Sequence, residues 1–214
     1  RTIVDAEVVP IATGADLPVP ALNLAFDEGD GAAAADTSGN GHPAALAGTA
    51  AWDQGNPQDD PTDTALLLDG AAGSAATAGP VVRTDQSFTL TAWVNPTSVD
   101  GSVVVVSVDG TRVGAVTLGY RTDLHGWCVS RRVADEATAA VVTACGGTAP
   151  VGAWTHLAGV YDATTGALRL YVNGLPVQEA TVTGGWNATG PLTVGRGFDA
   201  DAWFAGRIDD VVAY

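Results

Sequence analysis

The sequence predicts an all-β fold, an antiparallel two-sheet β-sandwich, from three observations. Apolar and polar residues alternate over short segments such as residues 88–94, and this period of two is typical of strands with one buried face. Dipeptides that favour tight hairpins, Asp109-Gly110 and Asn173-Gly174, separate such segments. No window keeps a helical period for the length of a stable helix. The 27 glycines and 11 prolines supply the turns that many short strands need.

The first residues, 1–19, are expected to be a linker or an edge strand. Their apolar run is interrupted by Pro10, and proline is confined to the edges of sheets. Residues 20–214 are expected to form one domain, because no linker-like composition interrupts them. The chain begins with Arg1, lacks Met and uses Arg without Lys, which predicts a piece of a longer bacterial protein whose other domains are partners of this one.

Further along the chain, two segments show the strand pattern most clearly. In the first, Phe88, Leu90 and their alternate neighbours share one face, with Trp93 on the other. The second is residues 168–172, which the Asn173-Gly174 turn is expected to join to residues 176–182 in a hairpin. The Asp109-Gly110 turn is likewise expected to join residues 103–108 to residues 112–118. Residues 70–79 are rich in small side chains and are expected to form a flexible loop.

The two cysteines lie in segments that predict a strand pair around the polar turn 134–138. Pairing that sets Val133 against Ala140 places Cys128 directly opposite Cys145. The sequence therefore favours a cross-strand disulfide over the alternative of two free buried thiols. Because disulfides rarely persist in a reducing cytoplasm, the bond predicts a secreted or cell-surface protein.

The charge of the chain excludes some partners. The formal net charge is -15, so no nucleic acid is expected to bind, because phosphate contacts need clustered positive charge. No segment approaches the roughly 20 consecutive apolar residues of a membrane-spanning helix, so no membrane insertion is expected.

A dense polar run occupies residues 36–41. Asp36 offers a carboxylate, Gly39 and Gly41 permit a tight turn, and Asn40 tolerates unusual backbone angles. Such oxygen-rich loops suit a hard cation with about six to eight ligands, but these residues alone favour a polar turn that binds nothing.

Six motifs in a fixed order resemble the laminin-G-like jelly-roll family, within the concanavalin A-like lectin/glucanase superfamily, over about residues 20–214. They are Phe26-Asp-Glu-Gly-Asp-Gly31, Ala65-Leu-Leu-Leu-Asp-Gly70, Ser87-Phe-Thr-Leu-Thr-Ala-Trp-Val-Asn-Pro96, Trp154-Thr-His-Leu-Ala-Gly-Val-Tyr-Asp162, Leu168-Arg-Leu-Tyr-Val-Asn-Gly174 and Gly206-Arg-Ile-Asp-Asp-Val-Val-Ala-Tyr214. The resemblance implies a structural Ca²⁺ site that joins the loop of Asp36, Gly39, Asn40 and Gly41 to the last strand, with Asp36 and one of Asp209 and Asp210 supplying side chains. In that interpretation, the segment around Glu28 braces the metal loop.

The sequence does not predict an enzyme. Retaining sandwich glucanases need two carboxyl groups about 5 Å apart, and none of the four glutamates (Glu7, Glu28, Glu136 and Glu179) has a second carboxylate at suitable spacing in an apolar strand. Histidines at metal-ligand spacing, a nucleophile elbow and a phosphate-binding loop are absent from the sequence as well.

Aromatic residues in polar loops are the candidates for ligand binding, because sugar rings stack on flat aromatic faces. The candidate residues are Trp186, Asn187, Asp199, Asp201 and Trp203. The sequence therefore predicts a non-catalytic, calcium-stabilised module that binds a glycan or a cell-surface polymer. The alternatives are a protein-contacting adhesion or spacer domain and, less favoured, an atypical polysaccharide hydrolase or lyase.

Overall fold

The computed structural model describes residues 18–55, 62–198 and 202–214. The expected N-terminal strand, Asp199 and Asp201 therefore lie outside the described residues. The described strands are β1 (Leu22–Leu24), β2 (Ala33–Ala34), β3 (Ala44–Ala47), β4 (Ala51–Gln54), β5 (Thr64–Asp69), β6 (Ser74–Thr77), β7 (Phe88–Pro96), β8 (Val103–Asp109), β9 (Gly114–Arg121), β10 (Gly126–Arg132), β11 (Val141–Gly146), β12 (Thr155–Asp162), β13 (Ala167–Val172), β14 (Leu175–Thr181), β15 (Leu192–Val194) and β16 (Ala205–Ala213).

These strands form two antiparallel sheets of eight strands each within the described part of the chain, which confirms the predicted all-β sandwich. The first sheet has the order β14-β13-β12-β7-β16-β5-β4, and β1 also pairs with β16. The second sheet has the order β11-β10-β9-β8-β15-β6-β3-β2. A single 3-10 turn, Thr122–Leu124, is the helical structure present among the described residues.

The core lies between the inner faces of the two sheets, as the alternation in β7 predicts. Phe88 and Leu90 are buried, whereas Trp93 on the opposite face of the same strand is partly exposed. The second sheet contributes Trp127, which is fully buried and meets Tyr120 edge-on at 5.8 Å between ring centres. Aromatic pairs in this orientation add to the stabilisation that burial of their area provides.

One charged side chain also lies in this core. The guanidinium of Arg131 stands 4.2 Å from the centre of the Tyr161 ring and donates hydrogen bonds to the carbonyls of Thr84 and Gly184, at 2.6 and 3.1 Å. Burial lowers the pKa of Arg131 from its ordinary value. The ring and the carbonyls offset part of the cost of burying the charge.

The β13–β14 hairpin is confirmed as predicted. Val172 pairs with Leu175, so Asn173 and Gly174 form a two-residue turn, and both have positive φ (51° and 75°). Asparagine and glycine adopt these angles at little cost, which explains the turn's place in the chain.

The prediction for the β8–β9 turn was wrong in position. Asp109 stays in the strand, where its buried carboxylate accepts hydrogen bonds from Ser107 and Thr193, and the turn instead spans residues 110–113. Asp135 accepts three backbone N–H bonds from this wider turn, which organises it from outside the hairpin.

Residues 70–79 are not a loop throughout, because residues 74–77 form β6 in the interior of the second sheet. Ala75 and Ala76 pair with strands on both sides, and their small side chains pack there without the bulk that usually marks a strand. Composition alone therefore misidentified this segment.

The Cys128–Cys145 disulfide is confirmed, and so is its predicted register. Cys128 pairs directly with Cys145, their Cα atoms are 4.1 Å apart, and Val133 donates its N–H to the carbonyl of Ala140 at 3.1 Å. The bond joins β10 to β11, the edge strand of the second sheet.

Candidate functional site

The last strand has an irregularity where three segments meet. Residues 205–208 of β16 pair with β5, and residues 211–213 pair with β1, so the start of β5 and the end of β1 face the intervening residues Asp209 and Asp210. The pairing with β7 also shifts register here, and Asp210 has a φ of 46°. Non-glycine residues rarely adopt this angle, and such bulges often mark functional positions.

Four carboxylates approach one another at this bulge, and we call Asp27, Asp63, Asp209 and Asp210 the acidic cluster. The side chain of Asp63 is hydrogen-bonded to those of both Asp27 and Asp209. Thr64 donates its hydroxyl to the carbonyl of Phe26 at 2.6 Å, which holds the two segments that carry Asp27 and Asp63 together.

Burial and mutual repulsion raise the pKa of two members of the acidic cluster. The pKa of Asp209 rises to about 8, because this side chain is buried and faces the charges of Asp63 and Asp210. The pKa of Asp27 rises to about 6, first through desolvation and then through its hydrogen bond with Asp63. Each effect disfavours the ionised form, so the cluster needs a compensating positive charge or a shared proton.

The donor chemistry of the acidic cluster fits a hard divalent cation. Carboxylate oxygens are the ligands that calcium prefers, and the repulsion among them would be relieved by a cation. Among the described residues, no group of three acidic, His or Cys side chains is arranged so that it could hold a metal ion. The carboxyl groups of the acidic cluster are instead linked to one another through Asp63. Calcium binding at the acidic cluster stays a prediction.

Asp36, the first predicted metal ligand, uses its carboxylate to hold backbone. Its Oδ1 accepts N–H bonds from Asn23 and Ser38, at 3.1 and 3.0 Å, and its Oδ2 accepts one from His42 at 2.9 Å. Burial alone would raise its pKa, but the Ser38 hydroxyl and these backbone bonds together lower it to about 2. Both carboxylate oxygens are thus engaged by hydrogen bonds.

The rest of the loop contacts the residues that immediately precede β1. Asn40 donates its side-chain amide to the carbonyls of Pro20 and Ala21, and Gly39 and Gly41 have positive φ (87° and 77°), as a tight turn requires. The loop thus connects to Asp209 and Asp210 through β1, which pairs with β16 beyond the bulge. Their joint participation in one calcium site stays a prediction.

Glu28 contacts the segment that leads into the Asp36 loop, whereas its role in bracing a metal site stays a prediction. Its Oε1 accepts the N–H of Ala35 at 2.7 Å, immediately before Asp36. Asp27 and Asp63 were not among the predicted metal ligands. Asp27 belongs to the Phe26–Gly31 motif, which could have indicated it. No sequence pattern near Asp63 indicates a site, because its partners are far away in the chain.

A groove lies on the outer face of the second sheet, across β8 to β11. It encloses about 210 Å³. Side chains of this face alternate with core residues along β10, so that Cys128, Ser130 and Arg132 point away from the core that Trp127 enters. Residues that define the groove are Val104, Thr117, Gly119, Arg121, Ser130 and Arg132.

Small residues make the floor of the groove. Gly119 pairs with Val104 and Cys128, and a Cβ at Gly119 would lie 2.1 Å from the carbonyl oxygen of Val103. A larger residue there would both clash with β8 and raise the floor. Ser130 lies beside Thr117 and shares a 3.1 Å hydrogen bond with Thr143, which leaves hydroxyl groups along the groove.

The predicted ligand residues that the structure describes make contacts of their own. Trp186 is half-buried against the core and donates its indole N–H to the carbonyl of Arg132 at 3.1 Å, while Asn187 accepts the N–H of Thr84. Trp203 is half-buried and forms an isolated bridge with Arg196. Ligand contacts by these three residues stay a prediction.

No helix within the described ranges is long and apolar enough to cross a membrane.

Comparison with solved structures finds the same fold in several proteins. Domain 4 of the extracellular arabinanase AbnA from Geobacillus stearothermophilus, solved with arabinotriose, has a TM-score of 0.62 at 22% identity, with 91% of each chain covered. The binding domain of botulinum neurotoxin serotype D/C has a TM-score of 0.66 at 14% identity, covering 92% of this chain and 48% of that one. Sialidase from Trypanosoma rangeli, solved with sialic acid, has a TM-score of 0.61 at 17% identity, covering 90% of this chain and 30% of the sialidase.

At these identities the likeness shows the fold alone, and the chain spans only about half of the toxin domain and a third of the sialidase. A comparison with curated protein sequences finds no match. A laminin-G family profile, described as the concanavalin A-like lectin/glucanases superfamily, matches residues 69–214. Because that match covers more than half of the chain, the protein belongs to the laminin-G-like branch of the concanavalin A-like lectin/glucanase superfamily.

Proposed function

We propose that this domain is a non-catalytic carbohydrate-binding module, stabilised by calcium, of an exported multidomain bacterial protein. The observation that carries the proposal is the groove on the outer face of the second sheet. Its glycines leave room for a sugar chain, and its serine, threonine and arginine side chains offer hydrogen-bonding partners.

The family and its structural relatives support a glycan as the ligand. The similar domain 4 of the arabinanase was solved with arabinotriose, and it matches this chain over 91% of its own length. Fold likeness alone does not assign a ligand, since one fold hosts many functions. The groove supplies the chemical argument that the fold cannot.

A panel of immobilised oligosaccharides tests the proposal. The intact domain is expected to bind at least one glycan saturably and to release it unchanged after prolonged incubation. Shortened or unsaturated products would favour the hydrolase or lyase alternative, and the absence of binding to every glycan would favour an adhesion or spacer domain.

Calcium at the acidic cluster would stabilise the closure of the sandwich. Asp27, Asp63 and Asp209 come from segments far apart in the sequence, so one ion on their carboxylates would hold the end of β1, the start of β5 and β16 together. Asp36 would support this site through the loop that binds β1.

Thermal unfolding in excess calcium and in chelator tests the metal. A ligand that binds only the folded state raises stability by mass action, by about 2.7 kcal/mol at a hundred times its Kd. Equal melting in both conditions, in a sample that elemental analysis shows to be free of metal, would refute the calcium site.

Export is proposed from the disulfide. A bond between β10 and the edge strand β11 persists outside the reducing cytoplasm, and Cys128 and Cys145 are the two cysteines of the chain. Measuring free thiols in protein purified from the native culture medium and from cell lysate tests both the oxidation state and the location.

A further inference from the structure

The groove differs in charge from the rest of the chain. The sequence contains 24 acidic residues and nine basic ones, yet the described residues that line the groove include two arginines, Arg121 and Arg132, and no carboxylate. The positive charge of the groove therefore acts locally on a bound ligand, because charges more than about 8 Å away are screened at physiological ionic strength.

Arg132 carries a charge that has no acidic partner in the described residues. Its Nη1 donates to the carbonyls of Ala137 and Ala139, each at 3.0 Å, and these bonds fix the guanidinium at the end of β10. Its Nε is buried and has no hydrogen-bond acceptor among the same residues. That nitrogen is shielded from the groove, so an anionic ligand would contact the exposed part of the guanidinium instead.

Arg121 stands at the other end of the groove with a carboxylate that can be displaced. Asp123 receives two hydrogen bonds from it, at 2.8 and 2.7 Å, and both side chains are substantially exposed (41% and 59%). Exposed ion pairs of this kind contribute little to stability, so a ligand carboxylate can compete for the guanidinium.

The two arginines are spaced along the strands. Arg121 pairs with Gly126 at the start of β10, and Arg132 ends the same strand six residues later. At about 3.3 Å per residue, roughly 20 Å separates the two positions. The hydroxyls of Thr117 and Ser130 lie between them, on the same face.

We propose that the groove binds a carboxylated oligosaccharide, with Arg132 and Arg121 holding its acidic groups and the hydroxyls between them contacting the intervening sugar. This inference rests on the proposed carbohydrate-binding function and names its ligand class. Guanidinium groups suit this task because they pair with carboxylates through two parallel hydrogen bonds.

The probes are oligosaccharides that carry uronic acids, oligosaccharides that carry sialic acid, and the methyl esters of both. Esterification removes the charge and leaves the sugar chain intact. At least one free acid is expected to bind about tenfold or more tightly than its ester, as loss of a charge-assisted hydrogen bond predicts. Comparing the uronic acid oligosaccharides with the sialic acid oligosaccharides identifies which acidic sugar the groove recognises. Binding of the free acid, but not of the ester, should weaken as salt is added.

Two matched variants test the location. Val141 pairs directly with Arg132, lines the groove and is 45% exposed, so Val141→Asp places a competing carboxylate beside the guanidinium without disturbing the core. Affinity for the free acid is expected to fall about tenfold. Val151→Asp, at a position 55% exposed and outside the groove lining, is the control and should bind as the parent does.

A third variant is expected to act in the opposite direction. Asp123→Asn removes the carboxylate that Arg121 now pairs with, and affinity for the free acid should rise about threefold. Thermal melting of all three variants verifies that each is folded before binding is measured.

The outcomes separate the two proposals. Preference for the free acid, weakened by Val141→Asp and not by Val151→Asp, supports the inference. Equal binding of acids and esters, or binding of neutral glycans alone, overturns it and leaves the carbohydrate-binding function standing. Binding of free acids that Val141→Asp does not weaken overturns the location. Failure to bind any glycan overturns both proposals.

Discussion

The disulfide offers a stability prediction whose size follows from the structure. Replacing both Cys128 and Cys145 by Ala removes a cross-link that closes a loop with a sequence separation of 17 residues. In the loop-entropy model, a loop of this length contributes about 3 kcal/mol to the free energy of unfolding, because the cross-link restricts the unfolded chain. For a domain of this size, that loss lowers Tm by about 6 to 12 °C.

The assay is thermal and urea unfolding of the parent and the double variant, each with and without reductant. Reductant should lower the stability of the parent to that of the variant and leave the variant unchanged. An unfolding free energy that is equal in parent and variant would refute the reasoning. Alkylation of two thiols in the denatured, unreduced parent would refute the bond itself.

Three further predictions concern the acidic cluster, a turn and the core. Asp209→Asn should raise Tm in chelator at pH 7, because it removes a carboxylate whose pKa is raised to about 8, and should abolish the gain in Tm that calcium gives the parent. Hydrogen bonds from the Thr49 side chain and from three loop N–H groups hold the pKa of Asp69 well below the usual range, so its stabilisation is present above about pH 4 and lost as pH falls. Asp69→Asn should therefore be less stable than the parent at pH 7 and converge with it in acid. Leu157→Ala, in a fully buried position, should cost about 2 to 5 kcal/mol in urea unfolding, whereas Leu175→Ala, 69% exposed, should change stability by less than about 0.5 kcal/mol.

Local patterns in the sequence predicted those parts of the fold that depend on neighbouring residues. The alternation in β7 identified its buried face, and the Asn173-Gly174 turn specified a hairpin, because both are determined within a few residues. The Cys128–Cys145 register was predictable for the same reason.

Features that depend on distant contacts were harder to predict. The turn after β8 lies later in the chain than predicted, because hydrogen bonds from Ser107 and Thr193 keep Asp109 in the strand. Thr193 lies 84 residues away from Asp109 in the sequence. Ala75 and Ala76 joined a sheet because strands from elsewhere in the chain paired with them.

The candidate site shows the same division. Asp209 and Asp210 were identified from the terminal motif, but Asp63 joins them only through the pairing of β5 with β16. The groove was not predicted, because Arg121 shares a surface with Ser130 and Arg132 only once β9 and β10 lie side by side. Alternation within β10 could have indicated that Ser130 and Arg132 share a face.

The most direct test of the central claim is a calorimetric titration of the domain with the oligosaccharide that binds best in the panel, followed by chromatography of the recovered sugar. We expect saturable binding at one site per domain and recovery of an unchanged oligosaccharide. Absence of saturable heat with every oligosaccharide, or recovery of a cleaved one, would contradict a non-catalytic carbohydrate-binding module.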